Sequence, residues 1–170
     1  MREDVVLRPG GPADLPALTD IYNHYVIETP ITFDIEPFSV EGRRPWLEQF
    51  TDDGPHRLLV AEAPTGHLLG YASSHAFRYK PAYDTSIETT VYLAPSATGR
   101  GFGTRLYAAL FEALRGQDLH RAYAGVAQPN PASMGLHEKL GFKQVALYHE
   151  VGRKFGRYWD VAWLERTLGD

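Results

Sequence analysis

Two stretches of this sequence combine chemically capable side chains with telling spacing. In SIETTVYLA, residues 86–94, one carboxylate, Glu88, interrupts a run of β-branched and aromatic residues. The two-residue repeat of a strand puts Ser86, Glu88, Thr90 and Tyr92 on one face and Ile87, Thr89, Val91 and Leu93 on the other. A carboxylate there is costly to bury without a partner. Glu88 is therefore either a solvent-facing or ion-paired charge, or a group held for proton transfer. Directly downstream, SATGRGFGT, residues 96–104, sets glycines at 99, 101 and 103 ahead of a helix-forming run. Glycine permits positive φ and close backbone approach, so Gly99, Arg100, Gly101, Phe102, Gly103 and Thr104 can offer several N–H groups at the positive end of a helix and cradle a pyrophosphate or similar anion. The same glycines fit a tight strand-to-helix connection that binds nothing. A nucleoside-triphosphate loop would need Gly-Lys-Ser/Thr, but Arg100 sits between the glycines here. A dinucleotide site would need an acid ending the next strand, and Asp118 falls before that strand.

Other capable groups are spread along the chain. Arg78 and Lys80, in FRYKPAYD, precede the Glu88 strand and can clamp a carboxylate or phosphinate, the arginine as a fork and the lysine as a point charge. They fit a solvated basic loop equally well. Phe33, Tyr83 and Tyr25 either line such a pocket or belong to the core. Asn130 heads NPASMGLHEKLGF, where it can cap a helix or bond a ligand, and Ser133 is open to the same two readings. His137, within that helix, reads by itself as a plain surface or half-buried residue.

The elements that must position these groups follow from the hydrophobic periodicity. Val5 to Arg8 reads as a strand, and Leu15, Leu18, Ile21, Tyr22 and Tyr25 recur at helical spacing. A second helix starts near Val40, and the apolar runs HRLLVAEA and HLLGYASSHAF form a hairpin about PTG. After the Glu88 strand come a helix ending near Gly116, a strand RAYAGVA, the Asn130 helix ending at Gly141, and two strands about Gly156. The order β-α-α-β-β-β-α-β-α-β-β predicts a mixed sheet flanked by helices, in one α/β domain spanning residues 1–170.

Bulk properties narrow the function. The 17 basic and 21 acidic residues give a formal net charge of -4 without long runs of one sign, which disfavours nucleic acid and a polybasic membrane surface. No apolar run is long enough to span a membrane, and the charged N-terminus MREDVVLRPG does not read as a signal peptide, so a cytoplasmic protein is expected. With 0 cysteines and 7 scattered histidines, no metal site is expected.

Taken together, VYLAPSATGRGFGTRL resembles the acetyl-CoA pyrophosphate motif of the GNAT acetyltransferases, and NPASMGLHEKLGF resembles their second cofactor motif. Over nearly its whole length the chain is similar to the phosphinothricin N-acetyltransferase family, through IYNHYV, TFDIEP, AYDTSIETTVYL and YWDVAWLE. One departure is Thr98, where the motif carries Gln or Arg. The resemblance implies a GNAT-type, mostly antiparallel sheet and transfer of an acetyl group from acetyl-CoA to the amine of a small amino-acid-like substrate, usually by homodimers. It implies Glu88 as general base, His137 as proton donor to the thiolate, and the backbone of Val91, Tyr92 and Leu93, on a splayed strand, as the seat of the pantetheine arm. Asn130 and Ser133 would join the cofactor site, and Arg78, Lys80, Tyr83 and Phe33 the substrate pocket. Methionine sulfone or sulfoximine is an alternative substrate, and a non-catalytic acyl-CoA-binding module is an alternative function. Asn23 and His24 belong to a block whose role the sequence does not explain.

Overall fold

A computed structural model describes residues 4–169; residues 1–3, the start of the charged N-terminal stretch, and residue 170 lie outside the described residues. The elements run β1 (Val6–Pro9), α1 (Leu15–Glu28), α2 (Val40–Leu47), β2 (Leu58–Glu62), β3 (Leu68–Ala76), β4 (Ser86–Leu93), α3 (Phe102–Ala113), β5 (Arg121–Ala127), α4 (Pro131–Lys139), β6 (Lys143–Lys154) and β7 (Arg157–Thr167). They form a single α/β domain on a seven-stranded sheet of order β1-β2-β3-β4-β5-β7-β6. Each neighbouring pair is antiparallel except β4 and β5. The predicted element order and mixed, mostly antiparallel sheet are those observed.

Each face of the sheet carries its own core. On one, Phe102, Leu106 and Leu110 of α3 pack with Leu59, Ala72 and Ile87. On the other, Leu15, Leu18 and Ile21 of α1 and Leu47 of α2 cover Leu58, Val60 and Tyr71. Successive strand residues thus feed opposite cores, which is what the two-residue repeat requires.

The parallel pair controls the site. Its register is Ser86 to Arg121, Ile87 to Ala122 and Glu88 to Tyr123, and it goes no further. β5 continues alongside β7 as far as Ala127, whereas β4 stays with β3 as far as Leu93. Beyond Glu88 the sheet therefore opens into a cleft between β4 and β5.

Candidate active site

Backbone direction in β4 decides which groups face the cleft. The Ala94 amide donates to the Leu69 carbonyl on the β3 side at 2.9 Å, and amide directions alternate along a strand. The amides of Val91 and Leu93 consequently point toward β5, where the ladder has ended, while that of Tyr92 points toward β3. The Leu93 carbonyl, on the cleft side, accepts the Tyr25 hydroxyl. Residues expected to share one function are brought together here: Val91, Tyr92, Asn130, Ser133 and His137 line a narrow cleft of about 50 Å³.

The glycine turn adjoins the end of β4. Gly99 and Gly101 have φ of +73° and +82°, and Gly101 is the N-cap of α3. Only glycine holds that conformation without steric cost. No side chain caps α3 and its first turn contains no acid, so the orphan amides and the positive end of the dipole are left for an anion. Gly103 has a different reason: a Cβ there would stand 3.1 Å from Leu136 of α4, so the glycine sets the approach of α3 to α4. The Thr98 hydroxyl donates to the Pro95 carbonyl at 3.0 Å, bracing the turn from within. Arg100 and Thr104 are exposed, and Phe102 is buried beneath the turn.

Asn130 caps α4 by accepting the Ser133 amide at 3.1 Å, so one of its two anticipated uses is realised in the fold. His137 is 3% exposed. Its Nδ1 lies 2.7 Å from the Ser133 carbonyl, which fixes the proton on Nδ1. Nε2 is then an acceptor, and it takes the Tyr107 hydroxyl of α3 at 2.9 Å. Burial lowers the His137 pKa, and the bond to the Ser133 carbonyl offsets part of that. His137 is thus a neutral imidazole holding a tyrosine. Tyr107, which sequence reasoning missed, also lines the cleft; burial pushes its hydroxyl pKa up.

Glu88 opens onto the other side of β4, into a cavity of about 480 Å³ whose wall includes Tyr22, Arg43, Trp46, His75 and Tyr92. Burial raises the Glu88 pKa, and the positive charge of Arg78 offsets it in part. His75 Nε2 is 3.8 Å from the Glu88 carboxylate. Burial, with a further push from His56, drops His75 to about 4, so it is neutral near pH 7 and the contact is not an ion pair. A half-buried carboxylate without a charged partner in contact, in an aromatic cavity, is suited to accept a proton.

The basic pair sits outside this cavity. Arg78 is exposed and stacks over Phe77, 4.1 Å from the ring centre. Lys80 and Tyr83 are exposed on the loop beyond β3, Tyr83 edge-on to Phe77. Phe33 is set against β6, where a Cβ at Gly152 would fall 2.2 Å from its ring. It therefore fixes a loop and does not line the Glu88 cavity. That loop, residues 30–38, is pinned along its length. Lys154 donates to the Thr32 carbonyl at 2.9 Å, and the Tyr22 hydroxyl binds Thr32 and Asp34. Asn23 closes two bonds to the Phe38 backbone, at 2.8 and 2.9 Å. The unexplained Asn23 of the sequence is thus the clamp that holds the cavity's roof.

A splayed parallel pair, a glycine turn at a helix start without a side-chain cap and a half-buried carboxylate across the strand are the features of an acyl transferase. The comparisons with known proteins agree. The sequence pattern of the acetyltransferase (GNAT) family matches residues 18–142, and this chain belongs to that family as an acetyl-CoA-dependent N-acetyltransferase. It is similar to the phosphinothricin N-acetyltransferase of Streptomyces coelicolor, with 64% identity over 97% of each chain. It is also similar to the L-methionine sulfoximine/L-methionine sulfone acetyltransferase of Pseudomonas aeruginosa, with 35% identity over 95% of this chain and 94% of that one. Among solved structures, a GNAT superfamily phosphinothricin acetyltransferase from Sinorhizobium meliloti in complex with acetyl-CoA superposes with a TM-score of 0.91 and 32% identity, over 97% of this chain and 89% of that one. Among the described residues, no helix is long and apolar enough to cross a membrane and no group of three or more His, Asp or Glu could hold a metal ion.

Proposed function

We propose that this enzyme acetylates the amino group of phosphinothricin or a closely similar amino acid by direct attack on the acetyl-CoA thioester. The observation that carries the reading is Glu88, half-buried and facing the aromatic cavity at the last paired residue of the β4–β5 ladder. In this mechanism Glu88 removes one proton from the substrate ammonium, directly or through a water. The nitrogen lone pair forms the C–N bond and the C–S bond breaks. The amides of Val91 and Leu93 bind the pantetheine arm and the thioester oxygen, which gains negative charge in the transition state. Gly99 to Thr104 bind the pyrophosphate, joined by Asn130 and Ser133 at the head of α4. The nitrogen's second proton ends on the departing sulfur. His137, a buried neutral imidazole with its Nδ1 proton committed to the Ser133 carbonyl, has no proton of its own to give, and the hydroxyl proton of Tyr107 is committed to Nε2. The second proton therefore passes from nitrogen to sulfur directly or through a water, while this pair shapes the cleft wall. Arg78, Lys80 and Tyr83, exposed outside the cavity on the loop beyond β3, gather the acidic end of the amine.

The reading extends to a homodimer in the cytoplasm. Support for the dimer comes from the number of exposed apolar side chains on β6 and β7, among them Val145 at 53%, Val151 at 55% and Tyr158 at 54%, which a partner could cover. Thiol release from acetyl-CoA with phosphinothricin, methionine sulfone, methionine sulfoximine and the common amino acids tests the reaction. Turnover highest with phosphinothricin supports the reading. Acetyl-CoA binding without thiol release on any amine would sink it, and sedimentation as a monomer would end the dimer.

A further inference from the structure

Arg43 of α2 is a buried cation whose role neither the fold nor the mechanism above accounts for. It is 4% exposed. Its Nη2 donates to the Tyr71 hydroxyl at 3.1 Å, and its Nη1 is buried with no hydrogen-bond acceptor. The guanidinium lies between two rings, 3.7 Å from the Tyr22 centre and 4.0 Å from that of Trp46. Several exposed or half-exposed arginines meet carboxylates: Arg8 meets Asp14 and Glu62, Arg44 meets Glu41, and Arg115 meets Glu112. No carboxylate among the described residues lies within 4.0 Å of Arg43. Ring contacts recover part of the desolvation cost, but a buried charge without a counterion is ordinarily selected against.

The surroundings show where that counterion belongs. Arg43 lines the same 480 Å³ cavity as Glu88. The neighbouring His75 is neutral near pH 7 and adds no competing positive charge. Asp34, also on the wall, is exposed and bound by the Tyr22 hydroxyl. The cavity thus pairs a base for an ammonium with a desolvated guanidinium that has one donor to spare.

We propose that Arg43 is the specificity-determining cation of the substrate cavity, and that it selects amines bearing an anionic oxygen group, whose charge it neutralises inside the protein. The inference rests on the reading of this cavity as the amine site, and it separates the cations by depth: Arg43 on the cavity wall, the exposed Arg78 and Lys80 outside it. An amino acid with an anionic side chain fills both. The anion at Arg43 is the α-carboxylate or the side-chain oxoacid, and the test distinguishes them.

Steady-state thiol release at saturating acetyl-CoA is measured with phosphinothricin, its α-carboxamide, and methionine sulfone, whose side chain is neutral. The enzymes are the wild type, Arg43→Lys and Arg43→Gln. The expected result is that Arg43→Gln lowers the kcat/KM preference for phosphinothricin over one neutral comparator at least about tenfold. The loss should lie in KM, with the KM for acetyl-CoA unchanged, and Arg43→Lys should fall between. Loss against the carboxamide identifies the α-carboxylate, and loss against the sulfone identifies the side-chain anion. An equal fall for all three amines would make Arg43 a purely structural residue and overturn the proposal, as would no change. If Arg43→Gln shows no cooperative thermal transition, Tyr71→Phe decides, because it frees Nη2 while keeping the charge. A shifted preference then supports the proposal, and an unshifted one refutes it. A wild type that acetylates none of the three would overturn the reading of the cavity and this inference with it, whereas turnover with an unmoved preference overturns Arg43 alone.

Discussion

Glu88→Gln removes the proposed base while keeping side-chain shape, and its consequences can be worked out for both rate and stability. A positioned general base contributes about 10²–10⁴ in rate, equal to roughly 2.7–5.4 kcal/mol of barrier at about 1.36 kcal/mol per decade. The variant should lose turnover by that factor and keep its acetyl-CoA affinity, since the carboxylate faces the cavity and not the cleft. Burial raises the Glu88 pKa, so the acidic limb of kcat/KM in the wild type should lie above the range of a free glutamate, about 4.3. Arg78 pulls that pKa down, so Arg78→Ala should move the limb upward while Glu88→Gln abolishes it. Stability has the opposite sign. A carboxyl whose folded pKa is raised favours the fold fully below its unfolded pKa and loses that contribution as pH rises through the folded value. At neutral pH the ionised Glu88 therefore opposes folding, and Glu88→Gln should melt no lower than the wild type. Near wild-type turnover with an unchanged acidic limb would refute the base, and a melting point several degrees lower would show that the carboxylate is part of a structural pair.

Three further changes probe the support of the site. Gly101→Ala forces a side chain into the left-handed region at about 1–2 kcal/mol; thermal shift should show a lower Tm and less stabilisation by acetyl-CoA, and a full acetyl-CoA shift would count against the turn as the pyrophosphate seat. Asn23→Leu deletes both bonds to the Phe38 backbone, a loss of about 1–3 kcal/mol; the amine KM should rise with the acetyl-CoA KM unaltered, and unchanged kinetics would show that the loop holds without its clamp. Asp14 is held below the ordinary carboxylate range chiefly by its bond to Arg8, so its stabilising contribution exists above the unfolded pKa, about 3.9, and disappears as pH falls through the folded value. Asp14→Asn should cost about 1.5–3 kcal/mol in urea unfolding at neutral pH, and a gap to the wild type that does not narrow in acid would rule out this linkage.

What could be read from the sequence was whatever depends on local periodicity. Alternation in β4 placed Glu88 opposite Ile87 and Thr89, and those two are indeed buried. The glycines at 99 and 101 marked backbone that other residues rarely adopt, and Asn130 stood where a cap was needed. Pairings between distant segments were out of reach. Nothing local to His137 announces Tyr107, thirty positions away on another helix. Nothing near Phe33 announces Gly152, whose missing side chain gives the ring its seat. Arg43 was hidden differently, because EGRRPWLEQF presents two adjacent arginines as one polar patch. Helical phase separates them. Arg43 lies four residues before Leu47, on the buried stripe, whereas Arg44 turns outward to pair with Glu41. That phase test marks Arg43 as an ionisable residue on an apolar stripe, alternation marks Glu88, and His137, the one buried residue of a helix without an apolar stripe, escapes both. All three border the two hollows on either side of β4. Titratable groups buried around one strand, where apolar residues would fold more stably, are the pattern expected where a chain keeps a functional site.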